Sequence, residues 1–509
     1  LDPDRRPYHN VHSLRITGSF DETAFRSAVA RVVERHPILR TSFDLGGFGE
    51  PMQLVHAAVE VPLTVVDLRG TDPGQRHAVL GEHVRGEHRN TFDLSVAPLF
   101  RMAVHVVGDD AFQWTVTEHH AIFDGWSLAS TLTEINTLYR ALLAGEDPIV
   151  EPLRSTYGDF IAAERAALGS EESRAFWLEH LADRPDVRLP RRPVRESFPR
   201  LGERLDGERH AHDEDNGAGA LTTVTRQDLP ERLEELARRS GVPFKAVVLA
   251  AHLRVMSLVT GSSDVLVGLT SNGRLEEADA TEVRGLFLNT VPFRLRLPEG
   301  TWTDLVRAVS DAEQNLLPHR RYPMSALQRE LGDGALFDVN FVYNHFRQLG
   351  EPAGDRTLTV TDPGADMPGV ARTHFPLVVA VSREPGSDGL RLELEYNARE
   401  LAADQVVVLR DYYLRVFEAM VADPEASYRD VSLLGEGERA LLASWNGNVA
   451  DVPEVLVHQL VQAHDAVAVV SEGQQLTYRE LNARANRLAR YLRDAGVGPD
   501  VCVGVCVER

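Results

Sequence analysis

Glu118-His119-His120-Ala121-Ile122-Phe123-Asp124-Gly125-Trp126-Ser127 is where the sequence changes period. Upstream, residues 112–118 (Phe-Gln-Trp-Thr-Val-Thr-Glu) alternate as a strand does, and residues 98–107 form a neighbouring strand joined to them through a Gly-Asp-Asp turn. Downstream, Leu128, Leu132, Ile135, Leu138 and Leu142 mark one face of a long helix, which Gly145 suits as a stop. The ten residues therefore join a strand to a helix, a common place for side chains aimed into a cleft. An imidazole there can take or hold a proton near neutral pH. The aspartate four residues later either orients the histidine or anchors the loop through an arginine. The glycine lets a backbone come close to a substrate.

Working outward, residues 12–17 read as a strand, and Asp21 caps a helix to about His36 with Phe25, Val29, Val32 and Val33 on one face. Leu54–Val66 reads as strand and loop. Residues 183–219 are rich in Pro, Arg, Gly and Asp and predict a linker, with a mobile loop around His210–Gly219. Helices follow near 230–259, 302–317 and 402–422, and strands near 264–270, 337–343 and 390–396. A second linker is expected at 436–454. Residues 455–509 then open a new α/β unit, with a helix over 478–495 and a buried strand over 501–507.

A chain of 509 residues is too long for one ordinary core. Its net charge of −22 argues against a nucleic-acid binder, which needs a basic face. No apolar run approaches a bilayer's thickness, so no membrane partner is expected. Cys502 and Cys506 sit near the very end and cannot staple the rest, which points to a cytoplasmic protein. They have the wrong partners for zinc, no metal is expected, and alternate positions of a buried strand explain them better. Gly46-Gly47-Phe48-Gly49 reads as a turn, not a phosphate cradle. The opening Leu-Asp-Pro-Asp and the closing Val-Glu-Arg both read as cuts in a longer polypeptide.

His119-His120-x-x-x-Asp124-Gly125 resembles the active-site motif of the condensation domains of nonribosomal peptide synthetases, which share their fold with chloramphenicol acetyltransferase. Other stretches resemble that family's signatures in the right order. They are Arg35-His36-Pro37-Ile38-Leu39-Arg40-Thr41-Ser42-Phe43, then Tyr157-Gly158-Asp159-Phe160, then Gly285-Leu286-Phe287-Leu288-Asn289-Thr290 with Pro292 and Arg294. His319, Tyr322 and Pro323 follow, and then Phe337-Asp338-Val339. The family's earliest motif is missing. Leu476-Thr477-Tyr478-Arg479-Glu480-Leu481 looks like the first signature of an adenylation domain, whose phosphate loop would lie beyond the cut.

The resemblance implies an α/β fold of two acyltransferase-like lobes in a V, with the active site in a tunnel between them. The lobes would span 1–180 and 181–435, before the linker and a truncated adenylation segment. It implies amide formation between a donor peptidyl or acyl thioester and the amine of an acceptor aminoacyl thioester. Each rides on the phosphopantetheine arm of an upstream or downstream peptidyl carrier protein; no cofactor is expected to bind the domain directly. The adenylation domain of the same chain is the remaining partner. His120 is then the key group, as general base or as the group that positions the amine, and His119 is structural. Asp124 is expected in an ion pair with Arg40, and Gly125 lets the loop approach the acceptor. Trp126 and Ser127 are supporting residues. Asn289 either lines the tunnel or packs. The alternatives are epimerisation, an ester-forming variant, or a catalytically silent domain that docks a tailoring enzyme.

Overall fold

The computed structural model describes residues 8–186, 188–191, 209–213, 217–277, 279–332, 334–344, 359–361, 375–383, 389–447, 454–456, 459 and 464–507. The chain divides into two compact units, Leu1–Glu438 and Arg439–Arg509.

The first unit begins β1 (His9–Thr17), α1 (Glu22–Arg35), β2 (Thr41–Asp44), β3 (Met52–Val55), β4 (Leu63–Asp67) and α2 (Pro73–Arg89). It continues β5 (Phe100–Gly108), β6 (Ala111–His119), α3 (Gly125–Leu143), α4 (Tyr157–Leu168) and α5 (Glu171–His180). Asp21 caps α1 as expected, its carboxylate accepting the Ala24 N–H at 2.8 Å. Phe25, Val29, Val32 and Val33 of α1 and Leu132, Ile135 and Tyr139 of α3 pack with Phe112, Trp114 and Val116 of β6 into one core. The opposite face of β6 is polar: Thr115, Thr117 and His119 alternate with those apolar residues.

The second half runs β7 (Arg209–Asp213), β8 (Ala218–Val224), α6 (Leu229–Ser240), α7 (Phe244–Thr260), β9 (Asp264–Asn272) and β10 (Leu288–Arg296). Then come α8 (Trp302–Leu316), α9 (Met324–Leu331), β11 (Val339–Asn344), β12 (Thr359–Thr361), β13 (Leu377–Arg383), β14 (Leu390–Asn397) and α10 (Ala403–Ala422). The expected helix near 230–259 is two helices, because Gly241, at φ +71°, ends α6 in a left-handed cap. α7 is buried all round from Ala246 to Met256 and forms the centre of a second core with α8, α10 and the strands. No single helix among the described residues is long and apolar enough to cross a membrane.

Two sheets result, ordered β12-β1-β6-β5-β4 and β10-β9-β11-β13-β14-β8-β7. The first borrows β12 from the second half of the chain, antiparallel against Arg15–Thr17.

Three expectations are corrected here. Residues 210–219 are not wholly loop: they contain β7 and the start of β8, paired antiparallel. β7 is an edge strand, where polar residues are tolerated, so polarity misleads. α5 lies inside the expected first lobe (1–180), but its Trp177 is buried in the second core. The expected linker at 436–454 begins with α11 (Glu436–Asn446). Glu438 is buried there, accepting from the Gly435 N–H and the Tyr412 hydroxyl.

In the second unit, β15 (Val467–Ser471) and β16 (Gln474–Thr477) form a hairpin, followed by α12 (Tyr478–Asp494). Thr477 and Glu480 make a capping box at its start. The strand expected over 501–507 is absent, and Val501, Val503, Val505 and Val507 are exposed. A buried strand needs neighbours to pair with, and none of the described strands pairs with this segment. Cys502 and Cys506 are accordingly free and exposed.

Candidate active site at the start of helix α3

β6 ends on His119, and His120 is the first residue of the turn that follows. His119 pairs with His9 across β1. Its Nδ1 accepts the Ala121 N–H at 3.2 Å. Burial pushes its pKa down, Glu118 opposes, and His9 and His120 reinforce the fall. His119 is therefore a neutral imidazole. His120 is half-buried, not sealed in the apolar core. Its N–H donates to Tyr8 O at 2.6 Å, one step past the end of the β1–β6 ladder. Its Nδ1 hydrogen-bonds the carbonyl of Phe123. A carbonyl only accepts, so Nδ1 carries the proton and Nε2 of a neutral ring holds the lone pair.

The loop between them is anchored through Asp124, which is 2% exposed. Its carboxylate caps α3, accepting the Ser127 N–H at 2.6 Å, and takes the Phe287 N–H at 3.2 Å. Its cationic partner is Arg274, whose Nη2 lies 3.2 and 3.3 Å from the two carboxylate oxygens. This corrects the expected pairing with Arg40. Arg40 instead donates to the carbonyls of Val33, Glu34, His56 and Ala57, tying the end of α1 to the loop before β4. The physical demand is as expected, since a buried carboxylate needs a cation. The choice among arginines is not legible, because 54 residues are Lys or Arg and Lys245 is the single lysine.

Ser127 is buried; its Oγ donates to Gly285 O at 2.8 Å and accepts from Arg274 Nη2 at 2.7 Å. The Asp124 N–H also donates to Gly285 O, at 3.0 Å. Trp126 Nε1 donates to Thr281 O at 3.0 Å. Gly125 is the exposed first residue of α3. Asn289, two residues beyond Phe287, has other partners. Its amide donates to Arg320 O and Tyr322 O at 2.9 and 2.7 Å, latching the turn before α9. The structure thus gathers His119, His120, Asp124, Gly125, Trp126 and Ser127, while Arg40 and Asn289 bond to carbonyls outside this group.

Between β9 and β10 lie residues that sequence reasoning missed, Arg274, Glu282 and Arg284, just ahead of the signature that begins at Gly285. Arg284 reaches Glu134 of α3 at 2.9 Å. Glu134 also holds Arg35 at 2.7 Å and His36 at 2.8 Å, and Arg35 reaches Glu282 at 2.6 Å. Burial works against the Glu134 charge. The hydrogen bond and charge of His36, then Arg35 and Arg284, outweigh it and hold its pKa down at about 2. Among the described residues, no group of His, Cys, Asp and Glu is arranged to hold a metal ion.

A condensation-domain family model matches residues 1–443, and an AMP-binding enzyme model matches residues 456–509. The chain belongs to the condensation-domain family. Tyrocidine synthase 3 of Brevibacillus parabrevis is 32% identical over 526 residues, covering 99% of this chain and 7% of that protein. Bacitracin synthase 3 of Bacillus licheniformis is 28% identical over 526 residues, covering 100% of this chain and 8% of that protein. The chain therefore spans under a tenth of the length of these relatives. The first condensation domain of the calcium-dependent antibiotic synthetase, solved with a substrate analogue, superposes with a TM-score of 0.66 at 23% identity, covering 85% and 96% of the two chains. The X-domain from teicoplanin biosynthesis gives 0.67 at 24%, covering 85% and 94%. At such identities the likeness is one of fold. Condensation domains are the acyltransferases that form peptide bonds in nonribosomal peptide synthesis, and the start of an AMP-binding enzyme follows this one.

Proposed function

We propose that this condensation domain transfers a donor peptidyl or acyl group from an upstream carrier protein to the aminoacyl amine on a downstream carrier protein. Both substrates are thioesters on phosphopantetheine arms, entering a passage between the lobes, and we place the reaction in the cytoplasm. The acceptor nitrogen attacks the donor carbonyl, the C–N bond forms and the C–S bond breaks. The departing thiolate receives the proton that the amine loses. A thioester is already activated and an α-amine titrates near pH 8, so alignment is the main demand, and it can supply roughly 7–11 kcal/mol.

The observation that carries this reading is the fixed tautomer of His120. With Nδ1 committed to the Phe123 carbonyl, Nε2 is left to accept an N–H of the attacking amine. Asp124, with Arg274, holds the loop that presents it, and His119 braces the strand on the other face.

The test is reconstitution with two loaded carrier proteins, reading the condensed product on the acceptor by mass spectrometry. His120→Ala should lower turnover by about 10²–10⁴-fold while leaving the melting temperature within a few degrees. Product formation by His120→Ala at the wild-type rate would overturn the role. The same assay separates the other outcomes. Deuterium exchange at the donor α-carbon without transfer means epimerisation, product only with a hydroxyl acceptor means ester formation, and tight partner binding without turnover means a docking domain.

A further inference from the structure

Tyr8, immediately before β1, carries two costs at once. Its φ of +73° lies in the left-handed region, which costs a side-chain-bearing residue roughly 1–2 kcal/mol. Its aromatic side chain is also 49% exposed. Strain that persists next to a reacting group is there because neighbouring structure enforces it.

The neighbours in question are the two histidines. Tyr8 O accepts the His120 N–H at 2.6 Å, and the Tyr8 ring centroid lies 6.4 Å from that of His119 and 6.4 Å from that of His120. Consecutive strand residues face opposite ways, so a ring carried on a continuing strand would favour one of them. An extended residue 8 would set its side chain on the face of Asn10 and His12. The left-handed backbone breaks that alternation and lets one ring stand equally near both imidazoles, while the carbonyl still closes the ladder.

We propose that Tyr8 is a substrate-positioning residue. Its ring forms one wall of the approach to His120 Nε2 and holds the donor acyl group and the attacking amine against that nitrogen. This rests on the peptide-bond-forming reading.

Glycine adopts a φ of +73° without the steric cost, so Tyr8→Gly removes strain and wall together. The experiment measures the melting temperature and the kcat of Tyr8→Gly and Tyr8→Phe beside wild type, with both carriers loaded and saturating. The expected result is an unchanged or higher melting temperature for Tyr8→Gly with kcat lowered about ten-fold or more, and Tyr8→Phe within about two-fold of wild type. Wild-type kcat in Tyr8→Gly overturns the inference. So does a lost melting temperature alongside lost activity, which marks a merely structural residue, or an equal loss in Tyr8→Phe, which assigns the effect to the hydroxyl. A wild type that makes no product sinks the peptide-bond reading, and this inference with it.

Discussion

Arg274 and Arg40 show what a buried carboxylate demands of a single residue. Arg274 is 7% exposed, bonds both oxygens of Asp124, and also donates to Ser127 and to the carbonyls of Ala280 and Val283. Burial lowers its pKa while Asp124 raises it, so the pair holds its charges by mutual contact. Removing one member leaves the other charged and buried without its counter-charge. Arg274→Ala is expected to cost about 3–5 kcal/mol of stability and to abolish condensation by releasing the His120 loop. Arg40→Ala removes bonds to carbonyls at the surface of α1 and should cost nearer about 1 kcal/mol, with condensation retained. Urea unfolding of both variants checks the contrast. Equal losses would show that Asp124 draws no special support from Arg274. Asp124 itself is legible in the sequence, since it lies four residues from His120. Arg274 is not: it is 150 residues from Asp124, in a loop with no periodicity to flag it.

α3 is held from two directions, and both holds come from residues 274–287. At its first turn the carbonyl of Gly285 takes the Asp124 N–H and the Ser127 hydroxyl. Further along, Glu134 binds Arg284. Gly285 has no room for a side chain, because a Cβ there would stand 2.2 Å from the ring of Tyr157. That ring is itself fixed by its hydroxyl bond to Leu286 O at 2.8 Å. Gly285→Ala must therefore push the loop off α3, at about 1–3 kcal/mol, and should lower condensation with it. Gly46→Ala meets nothing within 4 Å and should be neutral within about 0.5 kcal/mol. Thermal melting with the carrier assay reads both, and a silent Gly285→Ala would mean the loop carries no load. Elements of this kind divide by how local their causes are. β5, β6 and α3 are readable because alternation and helical period are written within each segment. β7 and α11 read as loop and linker because their polar residues suit an edge strand and a charged helix start equally well. Residues 501–507 have strand-like alternation, yet a strand exists only where another pairs with it.

Part of the molecule's response to pH follows from histidines that burial keeps neutral. His252 is fully buried between α7 and α10, its Nδ1 hydrogen-bonded to the Tyr413 hydroxyl at 2.7 Å, and burial pushes its pKa down to about 3. His105, under α2 in the first sheet, is pushed down to about 4 by burial and then by the charge of His83. Unfolding frees both to titrate near about 6.5, so below that pH the unfolded chain binds protons the folded chain refuses. Stability then falls with falling pH, by up to about 1.4 kcal/mol per unit for each histidine, until the folded rings protonate near pH 4 and 3. Glu395 on β14 acts in the other sense. Burial, then the charge of Glu393, raises its pKa to about 8, so the unfolded chain gives up this proton first as pH rises from about 4.5. Between about pH 4.5 and 6.5 two histidines outweigh one carboxyl, and between about 6.5 and 8 the carboxyl acts alone. From these three groups the melting temperature should therefore peak near about pH 6.5, with limbs of similar slope on its two sides and a steeper fall only below about pH 4.5, where the carboxyl no longer opposes the histidines. His252→Gln should flatten the acid limb and Glu395→Gln the alkaline one. A melting temperature that climbs steadily to about pH 8 in wild type, or an acid limb unchanged in His252→Gln, would show that these buried groups do not set the pH response.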